Sequence, residues 1–362
     1  SIDPDRGTAT VAAGMRYGEV AVQLHAAGYA VPNLGSLPHI SVAGACATGT
    51  HGSGDRNGNL ATAVTGLRLV TAEGDLLDVS RDADPDRFPG MVVNLGALGV
   101  VTEVTLAVVP TFQVRQYVYD GLPLTGLADR FDEIMSRAYS VSVFTDWGEE
   151  PAVAQVWLKL RDGEEPPPPR WWEATRADAP RHPIPGMPTE NCTVQLGEPG
   201  PWHERLPHFR LEFTPSNGDE LQTEYFVPRQ RAAEAIAAVA SLRHLVAPVL
   251  QISELRTIAA DDLWLSPCHG RDSVGFHFTW RQEEEPVTAA VAALDEALAP
   301  LAARPHWGKL FPTPPEALAA RYPRYDDFRR LRAVLDPAGV FANEFTGRYV
   351  PAPTVEGRTD VA

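Results

Sequence analysis

Residues 36–54 read Ser-Leu-Pro-His-Ile-Ser-Val-Ala-Gly-Ala-Cys-Ala-Thr-Gly-Thr-His-Gly-Ser-Gly. Small residues at Ser41, Gly44, Ala45, Ala47, Thr48, Gly49 and Thr50 let backbone N–H groups approach a diphosphate without steric obstruction. The stretch is neither GxGxxG nor GxxxxGK[ST], so neither a dehydrogenase-type nucleotide fold nor a kinase-type phosphate loop follows. The same composition would also suit a loop packed tightly on a neighbouring strand.

Outward from this loop the first part of the chain is β-rich. Ser1 to Gly7 reads as a strand end and turn, and Thr8 to Ala13 as the return strand of a hairpin. The chain thus opens in mid-hairpin, and a further N-terminal segment is expected ahead of it. Met15 to Ala27 has helical spacing and stops at Gly28. Val64 to Val70 and Leu76 to Ser80 flank Glu73-Gly74-Asp75 as a hairpin. Gly99 to Val109 is a β-branched strand, followed by Phe112 to Tyr119.

The second part alternates strands and helices. Leu122 to Ala138 reads as a helix, and Ser140 to Trp147 and Ala154 to Leu160 as paired strands. Arg161 to Pro201 is Pro-rich and irregular. Gln222 to Val227 reads as a strand and Arg229 to Leu245 as a helix. Val249 to Thr257 and Ser273 to Trp280 read as strands, and Pro286 to Ala303 as a helix. Tyr325 to Leu335 reads as a helix, and the "LDPAGVFANEF" stretch as a turn and extended tail. The fold class is α+β, with helices on one face of a sheet. The expected division is 1–115, 116–310 and a returning segment at 311–362.

The 362 residues carry a formal charge of −16, which phosphate backbones would repel, so nucleic acid is not an expected partner. No apolar run approaches the ~20 residues that span a bilayer. Cys46, Cys192 and Cys268 are scattered, which argues against a disulfide framework or zinc site and for a reducing, cytoplasmic setting. No metal-ligand spacing is present, and no metal is expected.

Three further stretches carry candidate chemistry. In "SELRT" Glu254 and Arg256 share one strand face; the plain alternative is a surface ion pair. In "GFHFTW" His277 and Thr279 share one face, opposite Phe276, Phe278 and Trp280, whose aromatic face reads as core. In "RPHWGK" Pro305 and Gly308 force a bend that presents His306, Trp307 and Lys309. In a dry pocket Lys309 would stabilise a developing oxyanion; on the surface it would be an ordinary lysine.

Together these stretches resemble the sugar-alcohol oxidases, flavoproteins of the vanillyl-alcohol-oxidase type related to the aldonolactone oxidases. The resemblance runs nearly end to end through "SLPHISVAG", "ATGTHGSG", "LGALGVVT", "VSVFTDW", "QVWLK", "PGPWHERLPHFR", "EFTP", "RPHWGK" and "LDPAGVFAN". It implies an α+β FAD-binding domain capped by a substrate domain. It implies hydride transfer from a primary alcohol carbon of a polyol to the flavin, with O₂ reduced to H₂O₂. By resemblance, FAD contacts fall on Ser36, Ser41, Gly44, Ala45, Cys46, Ala47 and Thr48, with Val101 near the adenosine. The substrate pocket falls on Ser36, Glu254, Arg256, Thr279 and Lys309. Lys309 and Arg256 would hold the reacting oxygen, and His277 would accept its proton. In the family, a Gly-x-Gly-His-Ser-type segment ahead of the stretch aligned with Ser1 carries the His that binds FAD covalently. The linking His is not present in this chain, and His51 in "GTHGSG" is not its counterpart. A sugar-lactone substrate is the alternative, with peripheral membrane association in that case. An inactive remnant or sugar-binding module is the reading from another class.

Overall fold

The computed structural model describes residues 1–148, 153–213 and 220–353. The last two residues of "EFTP", Thr214 and Pro215, lie outside them.

The first sheet has five antiparallel strands: β1 (Ile2–Asp3), β2 (Thr8–Ala12), β3 (Val64–Val70), β4 (Leu76–Ser80) and β5 (Val100–Ala107). Their order is β1-β2-β5-β3-β4. The N-terminal hairpin forms as expected, with Ile2 opposite Ala9. The helix Tyr17–Ala26 covers this sheet and ends before Gly28, whose φ of 85° is a left-handed conformation that favours glycine.

The second sheet is larger and also antiparallel. Its long strands are β6 (Gln113–Pro123), β7 (Ser140–Thr145), β8 (Val153–Arg161), β9 (Leu221–Pro228), β10 (Leu250–Ile258) and β11 (Ser273–Trp280). They lie in the order β6-β8-β7-β10-β11-β9. Helices Ala232–Ser241 and Glu284–Leu298 bury Ile236, Val239, Leu294 and Leu298 on one face. Phe276, Phe278 and Trp280 are fully buried in that core, with the rings of Phe278 and Trp280 stacked at 5.3 Å. Burying each such side chain contributes ~1.5–3 kcal/mol. The opposite face, where the polar residues of β9, β10 and β11 alternate out of this core, is left to build a site.

Some elements differ from their sequence readings: the helix read over 229–245 is a short 3-10 turn followed by the helices Ala232–Ser241 and Arg243–Val246, broken at Leu242. Residues 36–54 are not all loop: Val42–Ala47 forms a short helix, because Val42, Ala45 and Cys46 bury against the first core. Residues 122–138 form two short helices, Leu124–Asp129 and Phe131–Met135, broken at Arg130. The tail is not extended. Asn343 accepts a hydrogen bond from the Thr346 N–H and starts a helix, Glu344–Tyr349. That helix and Tyr325–Leu335 pack on the first core through Phe328, Leu331 and Tyr349. Among the described residues no single helix is long and apolar enough to cross a membrane.

Candidate active site

Register brings the site together. In the β9-β11-β10 array, Glu224 stands opposite His277, and His277 opposite Glu254. One step along, Gln222 stands opposite Thr279 and Arg256 opposite Gly275. The bend after the Arg304–Pro305 strand adds Lys309, because the His306 N–H donates to the Glu224 carbonyl at 2.9 Å.

These side chains face a cavity of about 1190 Å³. Its other wall comes from Gly35 and from Ser36, Ser41, Gly44, Ala45 and Thr48 of the 36–54 stretch. A Cβ on Gly44 would fall 2.7 Å from Ser41 Oγ, so only glycine there leaves that hydroxyl lying across the first helical turn. A cavity lined by hydroxyls and small residues fits the diphosphate and ring system of a flavin dinucleotide. The other expected contacts are placed differently. Cys46 turns into the core, Sγ 3.3 Å from Tyr17 Oη, and burial pushes its thiol up to about 12. Ala47 and Val101 do not line the cavity either: the Ala47 carbonyl accepts from the Leu95 N–H, and Val101 pairs with Leu69 in the first sheet.

The charged residues form one network. Lys309 Nζ lies 2.6 Å from Glu224 Oε2 and 2.7 Å from His277 Nδ1. Arg256 donates to Glu224 Oε1 at 3.1 Å and to Ser36 Oγ at 3.1 Å, and pairs with Glu254 at 3.5 Å. Burial alone would raise the Glu224 carboxyl. Lys309, His51 and Arg256 outweigh it and hold the group well below the usual carboxylate range. Burial likewise opposes the charge of Arg256, yet Glu254 and Glu224 raise it above its ordinary value. Glu254 is also lowered, by Arg256 and His208 against its burial.

His277 is brought to the site, but not as a free proton acceptor. Its Nδ1 takes the Lys309 ammonium and its Nε2 faces Thr279 Oγ1 at 3.0 Å. Burial and the Lys309 charge push its pKa down to about 3. In this arrangement the lone pair that would take the proton is engaged by Lys309.

Several site residues are given no site role by the sequence. Glu224 is 1 % exposed and sits in "QTEYFV", where a charged residue inside a buried strand was the available signal. His51 Nε2 lies 3.0 Å from Glu224 Oε1 and its Nδ1 2.8 Å from the Gly52 carbonyl, so both nitrogens are engaged within the protein. His208 donates through Nε2 to Glu254 Oε1 at 2.8 Å, and its own N–H donates to the Ser36 carbonyl. Behind it, the buried Lys159 donates to the carbonyls of Arg205, Leu206 and Pro207 at 2.9, 2.5 and 3.0 Å.

Known proteins are similar to this chain in sequence and fold. The FAD binding domain family matches residues 1–80, and the D-arabinono-1,4-lactone oxidase family matches residues 218–349. The chain is 54 % identical to the alditol oxidase of Streptomyces sp. (strain IKD472 / FERM P-14339), over 95 % of its own length and 81 % of that protein's. It is 30 % identical to the L-gulono-1,4-lactone dehydrogenase of Mycobacterium tuberculosis, covering 96 % of this chain and 83 % of that one. In structure it is similar to cholesterol oxidase from B. sterolicum, with a TM-score of 0.74 at 16 % identity over 95 % and 81 % of the two chains.

Proposed function

The chain belongs to the alditol oxidase family, and on that premise we propose that it is an FAD-dependent oxidase of polyols that acts at a primary alcohol carbon. The observation that carries the reading is the single cavity with small residues and hydroxyls on one wall and Arg256, Lys309, Glu254 and Thr279 on the other. When bound, FAD supplies the hydride acceptor and passes the electrons to O₂. Ser36, Ser41, Gly44, Ala45 and Thr48 are the residues that would hold it. His51, with both nitrogens engaged, is not offered as a covalent attachment point.

The chain's own residues prepare the alcohol. Arg256, which is buried, and Lys309, which is largely so, are cations that bind the reacting oxygen and stabilise negative charge on it as the C–H bond breaks. Glu254, held by His208 and Arg256, accepts hydroxyl donors along the polyol. Thr279 and Ser36 donate or accept, as a chain of hydroxyls requires. His277 keeps its proton on Nε2 and holds Lys309 through Nδ1.

A second reading, an aldonolactone oxidase, is supported by the family match over residues 218–349, which include Glu254, Arg256, Thr279 and Lys309. The test is a visible spectrum with FAD, followed by peroxide formation with xylitol, sorbitol and a γ-lactone. Faster turnover of the polyols supports the first reading, and of the lactone the second. A folded, full-length protein that takes up no FAD sinks both.

A further inference from the structure

We propose that Glu224 is the positioning residue of this site: its carboxylate clamps Arg256 and Lys309 side by side, so that both present N–H groups to one substrate oxygen. The inference rests on the polyol-oxidase reading for its substrate, but on the geometry for the clamp itself.

Each carboxylate oxygen serves a different cation. Oε1 accepts from Arg256 at 3.1 Å and faces His51 Nε2 at 3.0 Å, while Oε2 accepts from Lys309 at 2.6 Å. Both oxygens hold cationic or histidine partners and the residue is almost fully buried, so Glu224 acts on a substrate mainly through the two cations it holds. The backbone is tied to the same point: the Glu224 carbonyl anchors the His306 N–H, and the Lys309 N–H donates to the His306 carbonyl at 3.1 Å. The neighbouring position is kept clear. A Cβ on Gly275 would lie 3.1 Å from Glu224 Oε1, tighter than ordinary contact. Without the carboxylate, two cations in a site of low dielectric would repel each other, and the more flexible Lys309 would be the one to move, since Arg256 is also held by Ser36 and Glu254.

The clamp has a titration signature. Lys309 is faced by Glu224 from β9, Arg256 and Glu254 from β10, His277 from β11, His306 from its own loop and His51 from the opposite wall. Burial lowers Lys309, Glu224 raises it and Arg256 lowers it again. Removing the Glu224 charge therefore moves Lys309 further down. A step that needs the ammonium is present below that pKa and lost above it, so its alkaline limit moves to lower pH.

The experiment uses the FAD-loaded full-length protein and Glu224→Gln. Anaerobic flavin reduction by xylitol is followed across neutral to alkaline pH, and Lys309 is titrated independently by competitive acetylation read by peptide mass spectrometry. We expect a reduction rate lowered about 10–100-fold at neutral pH. The alkaline limb and the Lys309 titration should both move down by about one pH unit or more. A merely structural loss would lower the folded fraction without moving either. An unchanged titration and limb overturn the proposal. If Glu224→Gln does not fold, Gly275→Ala displaces the carboxylate more gently; a smaller shift in the same direction supports the clamp, and none overturns it. If neither xylitol nor a γ-lactone reduces the wild-type flavin, the functional reading fails, and the acetylation titration still decides the clamp.

Discussion

Lys309 and His277 meet at 2.7 Å, Nζ to Nδ1, and this contact fixes the tautomer of the histidine. An ammonium can only donate, so Nδ1 accepts, and the ring proton sits on Nε2 toward Thr279. His277 therefore meets Lys309 through its lone pair and Thr279 through its N–H. Changing His277→Ala is expected to slow flavin reduction about tenfold, with the acid limb of the pH profile intact. A loss of about 10²–10⁴-fold together with that limb would make it the general base after all.

Lys309 itself carries the larger effect. A cation acting on developing alkoxide charge contributes roughly 10²–10³ in rate. Lys309→Ala should lower the limiting rate of flavin reduction by that much and weaken polyol binding less. Rapid-reaction kinetics separates the two; a near-native limiting rate with raised KM would show that Lys309 only binds.

Acid should unfold this site early. Burial and nearby cations push His277 down to about 3 and His208 to about 4, against an unfolded value near 6.5. Folded-state values below unfolded ones mean that the unfolded chain binds more protons as pH falls. The stabilisation is complete above about 6.5 and is lost progressively toward pH 4, by on the order of 2 kcal/mol per histidine at pH 5 as an upper bound. Urea midpoints at pH 7 and 5 measure it. His208→Gln should flatten the slope, and a midpoint that holds or rises on acidification contradicts the assignment.

Lys159 supports the pocket from behind. Its ammonium satisfies three consecutive carbonyls in the segment that carries His208, and burial lowers its pKa to about 7. Lys159→Met keeps the volume but strands those carbonyls, at a cost of about 2–4 kcal/mol. Chemical denaturation measures the loss. KM for polyol should rise as His208 and Glu254 loosen, and unchanged stability and KM would rule out this bracing role.

Periodicity alone showed which side chains share a face. The two-residue alternation of "SELRT" and "GFHFTW" put Glu254 with Arg256 and His277 with Thr279, and it turned Phe276, Phe278 and Trp280 into the core, because a pleated strand leaves no other arrangement. The motifs spread along the chain were enough to place it among the sugar-alcohol oxidases. What lay across each face was decided only by tertiary structure. Glu224 reads as one charged residue in a strand of mixed polarity until antiparallel pairing sets it opposite His277 and the 304–309 bend lowers Lys309 onto it. Lys159 and His208 become parts of the site only through a segment that closes over β8. Cys46 left the expected cofactor wall because its helix turns that side chain toward Tyr17. Sequence patterns report spacing along one chain, whereas register, helix rotation and loop closure are fixed by contacts between residues tens to hundreds of positions apart.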